Sequence, residues 1–111
     1  IILSVMASGF NGQSFAFNGY LPIEPDERSR KLKMLEQRVY SKQQTQLFIE
    51  TPYRNNKLVE EILRTCKPHT KLCIAANLTC PDAYVHTRTV SEWKGHLPDL
   101  SKRPCIFLIY R

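Results

Sequence analysis

Glu50 and Arg54 flank the tripeptide Thr51-Pro52-Tyr53, and the apolar run Leu47-Phe48-Ile49 stops abruptly at the carboxylate. A carboxylate and a guanidinium placed around a Thr-Pro pair can do two kinds of work. They can bind and orient a polar ligand, or they can cap a strand-to-helix junction. After Arg54, the residues Leu58, Val59, Ile62, Leu63 and Cys66 recur at helical spacing. Thr51 therefore reads as an N-cap and Pro52 as a first helical residue, where proline is tolerated. The stretch as a whole reads as strand, sharp turn and helix. Glu50 and Arg54 then stand at the carboxyl end of a strand, the edge at which open α/β sheets bind ligands.

A second set of candidates follows the apolar run Lys71-Leu72-Cys73-Ile74-Ala75-Ala76, which suits a strand covered on both faces. Ala75 and Ala76 leave room for a flat group to approach the strand end, although close helix packing uses small residues equally well. Asn77-Leu78-Thr79-Cys80-Pro81-Asp82 then leaves the strand with hydrogen-bonding side chains. His86 has no acidic or cysteine neighbour at the spacing of a catalytic pair and reads as a surface histidine. The four cysteines form no Cys-x-x-Cys and have no His pair at zinc spacing, so no metal site is expected. Cys66, Cys73 and Cys105 fall in apolar stripes, which favours reduced, buried thiols in a cytoplasmic protein.

The elements that must carry these groups can be read in order. Ile1 to Ala7 resembles the tail of an apolar helix and lacks the basic flank of a signal peptide, so residues 1–12 are expected to be the end of an upstream domain plus a linker. Residues 13–111 are expected to form the domain itself. Phe15 and Phe17 alternate in Ser14 to Tyr20, as in a strand that buries one aromatic face. Pro25, Asp26 and Glu27 suit a helix start, and Leu32, Leu35 and Val39 give that helix its apolar stripe. Its basic residues Arg28, Arg30, Lys31, Lys33 and Arg38 read as an exposed face with snorkelling stems. Ser41 to Gln44 reads as a loop. Tyr84, His86 and Arg88 share one face of a half-exposed strand, Val90 to Lys94 is a short helix whose Trp93 seals the core, and Pro104 to Tyr110 is a closing buried strand. Five strands and three to four helices in alternation make an α/β or α+β domain around one mixed sheet.

Length and composition agree with one such domain. The chain has 111 residues, 42% of them hydrophobic and 23% charged. No apolar run approaches the ~20 residues needed to cross a bilayer, so no membrane role is expected. The net charge of +6 is spread widely, which is compatible with a nucleic-acid partner and equally with solvated basic faces.

Glu50-Thr51-Pro52-Tyr53-Arg54 resembles the Glu-Ser-Pro-His-Arg that follows an apolar strand in the tetrapyrrole methylase superfamily, specifically its ribosomal RNA branch. Four further stretches agree in order. Ala7-Ser8-Gly9-Phe10 is similar to the Ser-Gly-Leu that closes the family's first domain, and Phe17-Asn18-Gly19-Tyr20-Leu21-Pro22 to its Phe-x-Gly-Phe-Leu-Pro linker strand. Leu78-Thr79 falls where the family has Arg-Glu-Leu-Thr-Lys, and Thr89-Val90-Ser91-Glu92-Trp93 where it has Thr-Leu-x-Glu-Leu. The resemblance covers essentially the entire chain.

It implies the C-terminal domain of a two-domain methyltransferase that uses S-adenosylmethionine, bound in a cleft between the domains. It further implies a cytoplasmic homodimer that methylates the ribose 2′-oxygen of a cytidine in small-subunit ribosomal RNA. Glu50, Ala75, Ala76, Asn77, Leu78 and Thr79 would line the donor cleft, with Arg54 orienting substrate. The Gly-rich donor loop of the family's first domain does not occur in these residues, so the resemblance implies that activity needs the N-terminal domain and that this piece alone is inactive. The sequence departs from the branch where Ala76-Asn77 replaces Arg-Glu, where Cys80 replaces Lys, and where Lys102-Arg103-Pro104 replaces Lys-Gly-Glu. These changes remove charge from the cleft. They leave open a catalytically altered relative serving RNA binding or assembly, or a methylase of a small tetrapyrrole-like acceptor.

Overall fold

The computed structural model describes residues 8–10, 13–77, 81–95, 97–100 and 102–111. Strand β1 (Phe15–Tyr20) leads into helix α1 (Pro25–Lys42) and strand β2 (Thr45–Ile49). A 3-10 turn (Pro52–Arg54) and helix α2 (Asn55–Thr65) precede strands β3 (Lys71–Ala76) and β4 (Tyr84–Thr89). Helix α3 (Val90–Trp93) and strand β5 (Cys105–Tyr110) complete the chain. The sheet runs in the order β1-β2-β5-β3-β4. β1 and β2 are parallel, as their α1 crossover requires, and the other neighbours are antiparallel. The expected five-stranded mixed sheet forms, with α1, α2 and α3 among the described residues.

Local chemistry fixes the helix ends. The Glu24 carboxylate accepts from the Glu27 N–H at 2.8 Å, Pro25 opens α1, and acidic residues occupy its first turn. α1 runs through Ser41 and Lys42, which were expected to be loop, and stops at Gln43 in the left-handed conformation. Thr51 precedes the 3-10 turn without a side-chain cap, because its hydroxyl turns back to Glu50 Oε1 at 3.3 Å. Thr89 and Glu92 form a capping box on α3.

The alternating strand residues build two cores. On one face, Phe48, Phe107, Ile74 and their neighbours pack under α1, α2 and α3, with the Phe48 and Phe107 rings stacked 6.1 Å apart. Leu58, Val59, Ile62, Leu63 and Cys66 supply the α2 stripe as expected, and Leu32, Leu35 and Val39 that of α1. Trp93 is fully buried and donates its indole N–H to Leu72 O at 2.8 Å, which seals this core. On the opposite face, Leu47, Cys73, Ala75 and Leu108 form a smaller cluster against Phe10.

β1 departs from expectation. Phe15 and Phe17 remain 37% and 44% exposed instead of forming a buried aromatic face. β1 is an edge strand, and Phe17 stands opposite Leu47, on the sheet face away from the helices. Alternation placed the two rings together correctly but could not reveal which face the helices cover. The register shifts between Phe17 and Tyr20, where Gly19 adopts a φ of 66° that suits glycine.

Candidate functional site

The carboxyl ends of β2 and β3 lie beside the start of β5, and register sets Ile49, Ile106 and Ala75 side by side across the three strands. These residues floor a groove of about 430 Å³. Tyr20 and Asn77 stand at its sides, while Glu50 with Pro52 and Pro104 with Cys105 form its rims. The volume falls in the range of small-molecule sites, and the combination of an apolar floor with a few polar groups is the usual composition of one. The small side chain of Ala75 leaves the floor open between Ile49 and Ile106.

Glu50, Ala75 and Asn77 are therefore brought together. Ala76 is not, because successive strand residues face opposite ways and Ala76 is buried in the helix-side core. Asn77 adopts a φ of 53°, a left-handed conformation that asparagine tolerates, and its Nδ2 donates to Asp82 Oδ2 at 3.0 Å. Leu78, Thr79 and Cys80 lie outside the described residues.

Glu50 and Arg54, which flank the turn in sequence, are not ion-paired with each other. Glu50 is only 7% exposed and is ion-paired with Arg28, itself 4% exposed. Its other carboxylate oxygen accepts from the Thr51 N–H at 2.8 Å. Arg28 Nε lies 2.9 Å from Glu61 Oε1, within ion-pair distance but without hydrogen-bond alignment, and its Nη1 donates to Pro22 O at 3.3 Å. One guanidinium thus ties α1, the end of β2 and α2 together. Arg54 instead lies over the Tyr53 ring at 5.1 Å and lines a separate notch of about 140 Å³ with Arg28, Lys57 and Glu61.

Arg28 is the residue that reading the sequence missed. Its charge suggests the exposed basic face of α1, yet it lies four residues before Leu32 and so falls on the buried stripe. That spacing was the available signal. A second buried acid on the same helix, Glu36, accepts from Lys67 N at 2.8 Å and from Thr70 Oγ1 at 2.6 Å, which anchors the link between α2 and β3.

The described cysteines are buried and free. Burial pushes the Cys105 thiol up to about 11, with Arg103 pulling modestly the other way, so at the groove rim it is a neutral thiol at ordinary pH. Burial and then the Glu36 carboxylate push Cys66 up to about 12. His86 is exposed and packs against Tyr84. Among the described residues, no group of three His, Cys, Asp or Glu side chains is placed to hold a metal ion, and no helix is long and apolar enough to cross a membrane. The groove offers alignment, apolar contact and backbone hydrogen bonding, with its one carboxylate already engaged by Arg28 and Thr51.

Neither a known family model nor a curated protein matches the sequence. The fold is similar to that of the methyltransferase CobJ, known from a crystal structure, with a TM-score of 0.63 and 15% sequence identity. The match covers 100% of this chain and 47% of CobJ, so the chain spans about half the length of that methyltransferase and shares the fold of that half.

Proposed function

We propose that this chain is the C-terminal half of an S-adenosylmethionine-dependent methyltransferase of the tetrapyrrole methylase type. The observation that carries the reading is the groove at the carboxyl edge, where Glu50, Ala75 and Asn77 converge over an apolar floor. The likeness of the fold to about half of a methyltransferase supports it, as do the five stretches of sequence resemblance. Bound in such a groove, S-adenosylmethionine would supply an electrophilic methyl group. Ile49, Ala75 and Ile106 would pack against the apolar part of the donor, Asn77 would hydrogen-bond its polar part, and Leu78 and Thr79 would extend the contact. Glu50, fixed by Arg28, would hold the β2 edge and the Thr51 N–H in place. Displacement at a sulfonium methyl depends mainly on alignment of donor and acceptor, so the groove needs no acid-base pair of its own. A first domain would close the groove from the other side. The sequence resemblance favours a ribose 2′-oxygen of ribosomal RNA as acceptor.

A second reading, a non-catalytic relative that keeps the fold for RNA binding or assembly, is favoured by one observation: the Glu50 carboxylate is already engaged within the chain. Calorimetry with S-adenosylmethionine separates the two. The methyltransferase reading expects saturable binding to the gene product containing both halves, much weaker binding to this chain alone, and loss of binding in Ile106→Arg. Absence of binding to the two-domain protein would favour the second reading.

A further inference from the structure

Tyr84, His86 and Arg88 alternate along β4 and therefore project from one face, opposite Ala76, Ile74 and Leu72 of β3. β4 is the last strand of the sheet, so this row runs along an edge. The Tyr84 and His86 rings are 4.5 Å apart. The Arg103 guanidinium lies over Tyr84 at 5.7 Å, and that of Arg88 over Trp93 at 4.8 Å. The order along the edge is cation, ring, ring, cation. Tyr84 to Arg88 spans about 13 Å of strand.

Two features distinguish this row from ordinary shielding of the core. His86 is exposed and lies outside the buried core, against the Tyr84 ring. Neither Arg88 nor Arg103 is in an ion pair among the described residues. Arg103 is held by donating to the Asp82 carbonyl at 3.0 Å, while the Asp82 carboxylate is taken by Asn77 and the Glu92 carboxylate by the Thr89 cap. The two cations are thus positioned by neutral or aromatic partners, with their charge left over. Tyr84 pairs with Ala76 at the carboxyl end of β3, on the helix side of the sheet, whereas the groove floor of Ile49, Ala75 and Ile106 lies on the other side; at this end Arg103 immediately precedes Pro104 and Cys105.

We propose that the helix-side face of the β4 edge is a docking track for single-stranded nucleic acid. Unstacked bases lie against Tyr84 and His86, and adjacent phosphates meet Arg103 and Arg88. Flat π-faces alternating with cations suit a single strand because every base can stack, whereas a duplex hides its base faces. The binding needs no methyl donor, so its failure and that of the methyl-transfer reading are separate results.

The test is fluorescence anisotropy of labelled ten-nucleotide oligouridylate and oligothymidylate, and of a duplex of the same length, with the wild-type chain over a series of salt concentrations. Saturable binding that prefers the single strands is expected. His86→Ala, at an exposed position, should weaken it about fivefold or more. Arg103→Gln should weaken it and lower the logarithmic salt slope by about 0.7, as for one lost phosphate contact on a single strand. Lys33→Gln, on the exposed face of α1, removes the same charge and should change neither. Preference for oligouridylate assigns the track to RNA, and the reverse preference to DNA. No saturable binding, equal or tighter binding of duplex, an unchanged affinity in His86→Ala, or equal losses in Lys33→Gln and Arg103→Gln would each overturn the proposal.

Discussion

Arg28 and Glu50 meet as a buried ion pair 22 residues apart in sequence, at the point where α1 crosses the end of β2. Glu61 of α2 approaches the same guanidinium. The groove's one carboxylate is therefore set by a residue on an element that does not line the groove. Its position depends on how α1 and α2 pack.

The first prediction follows from that dependence. Arg28→Met leaves two buried carboxylates without their cation and should cost about 3–5 kcal/mol of stability, as breaking a buried pair usually does. Adding Glu50→Gln and Glu61→Gln to the same chain should recover at least half of the loss, since the uncompensated charges are then gone. Urea unfolding of the wild type and the two variants measures both. A loss below 1 kcal/mol in Arg28→Met would mean that the network contributes little to holding the three elements together.

The same pair shows what the sequence could and could not disclose. Strand, turn and helix around Glu50 were legible because apolar periodicity and a Thr-Pro break are local signals, and β3 was legible as a continuous apolar run. Ion-pair partners are tertiary. Arg54 is the nearer cation in sequence, but it lies over the Tyr53 ring, and the distant Arg28 pairs with Glu50 instead. The helical stripe that buried Leu32 and Leu35 also contained Arg28, so treating every charged residue as exposed concealed it. At the groove, the strand ends bring Ala75 and Asn77 into the lining. Strict alternation removed Ala76, a consequence of the strand's period that an account of the run as simply small and apolar did not use.

Asn77 supplies a second prediction, because its conformation and its place in the groove can be separated. At a φ of 53°, Asn77→Gly should be nearly neutral for folding, whereas Asn77→Val should lose about 1–2 kcal/mol through clash of its branched Cβ. Both remove the amide that faces Asp82 and the groove. On the proposed methyltransferase reading, a side-chain contribution to donor binding makes both variants, joined to the proposed N-terminal half, bind S-adenosylmethionine more weakly by calorimetry, although only Val lowers the melting temperature. Weaker binding in the Val variant alone would assign Asn77 to backbone geometry.

The thiols give a pH prediction whose sign is fixed by burial. Cys66 rises from 9.0 to about 12 and Cys105 from 9.0 to about 11, mainly because their thiolates would be desolvated. In the unfolded chain both deprotonate near the ordinary value, so between about pH 9 and pH 12 the native state holds protons that the unfolded state has released. Stability is then fully present below pH 9 and falls as pH rises through that window, since the unfolded state binds fewer protons there. Tyrosine and lysine side chains titrate in the same range, so the wild-type curve alone cannot isolate the effect. The measurement is the difference between wild type and Cys66→Ala in urea unfolding from pH 7 to pH 12. Cys66→Ala should be the less stable at pH 7, because it leaves a small cavity beside Glu36. The two curves should converge as pH rises above 9, since only the wild type carries the thiol whose ionisation folding opposes. Curves that stay parallel to pH 12 would show that the Cys66 thiol is not held neutral by the fold.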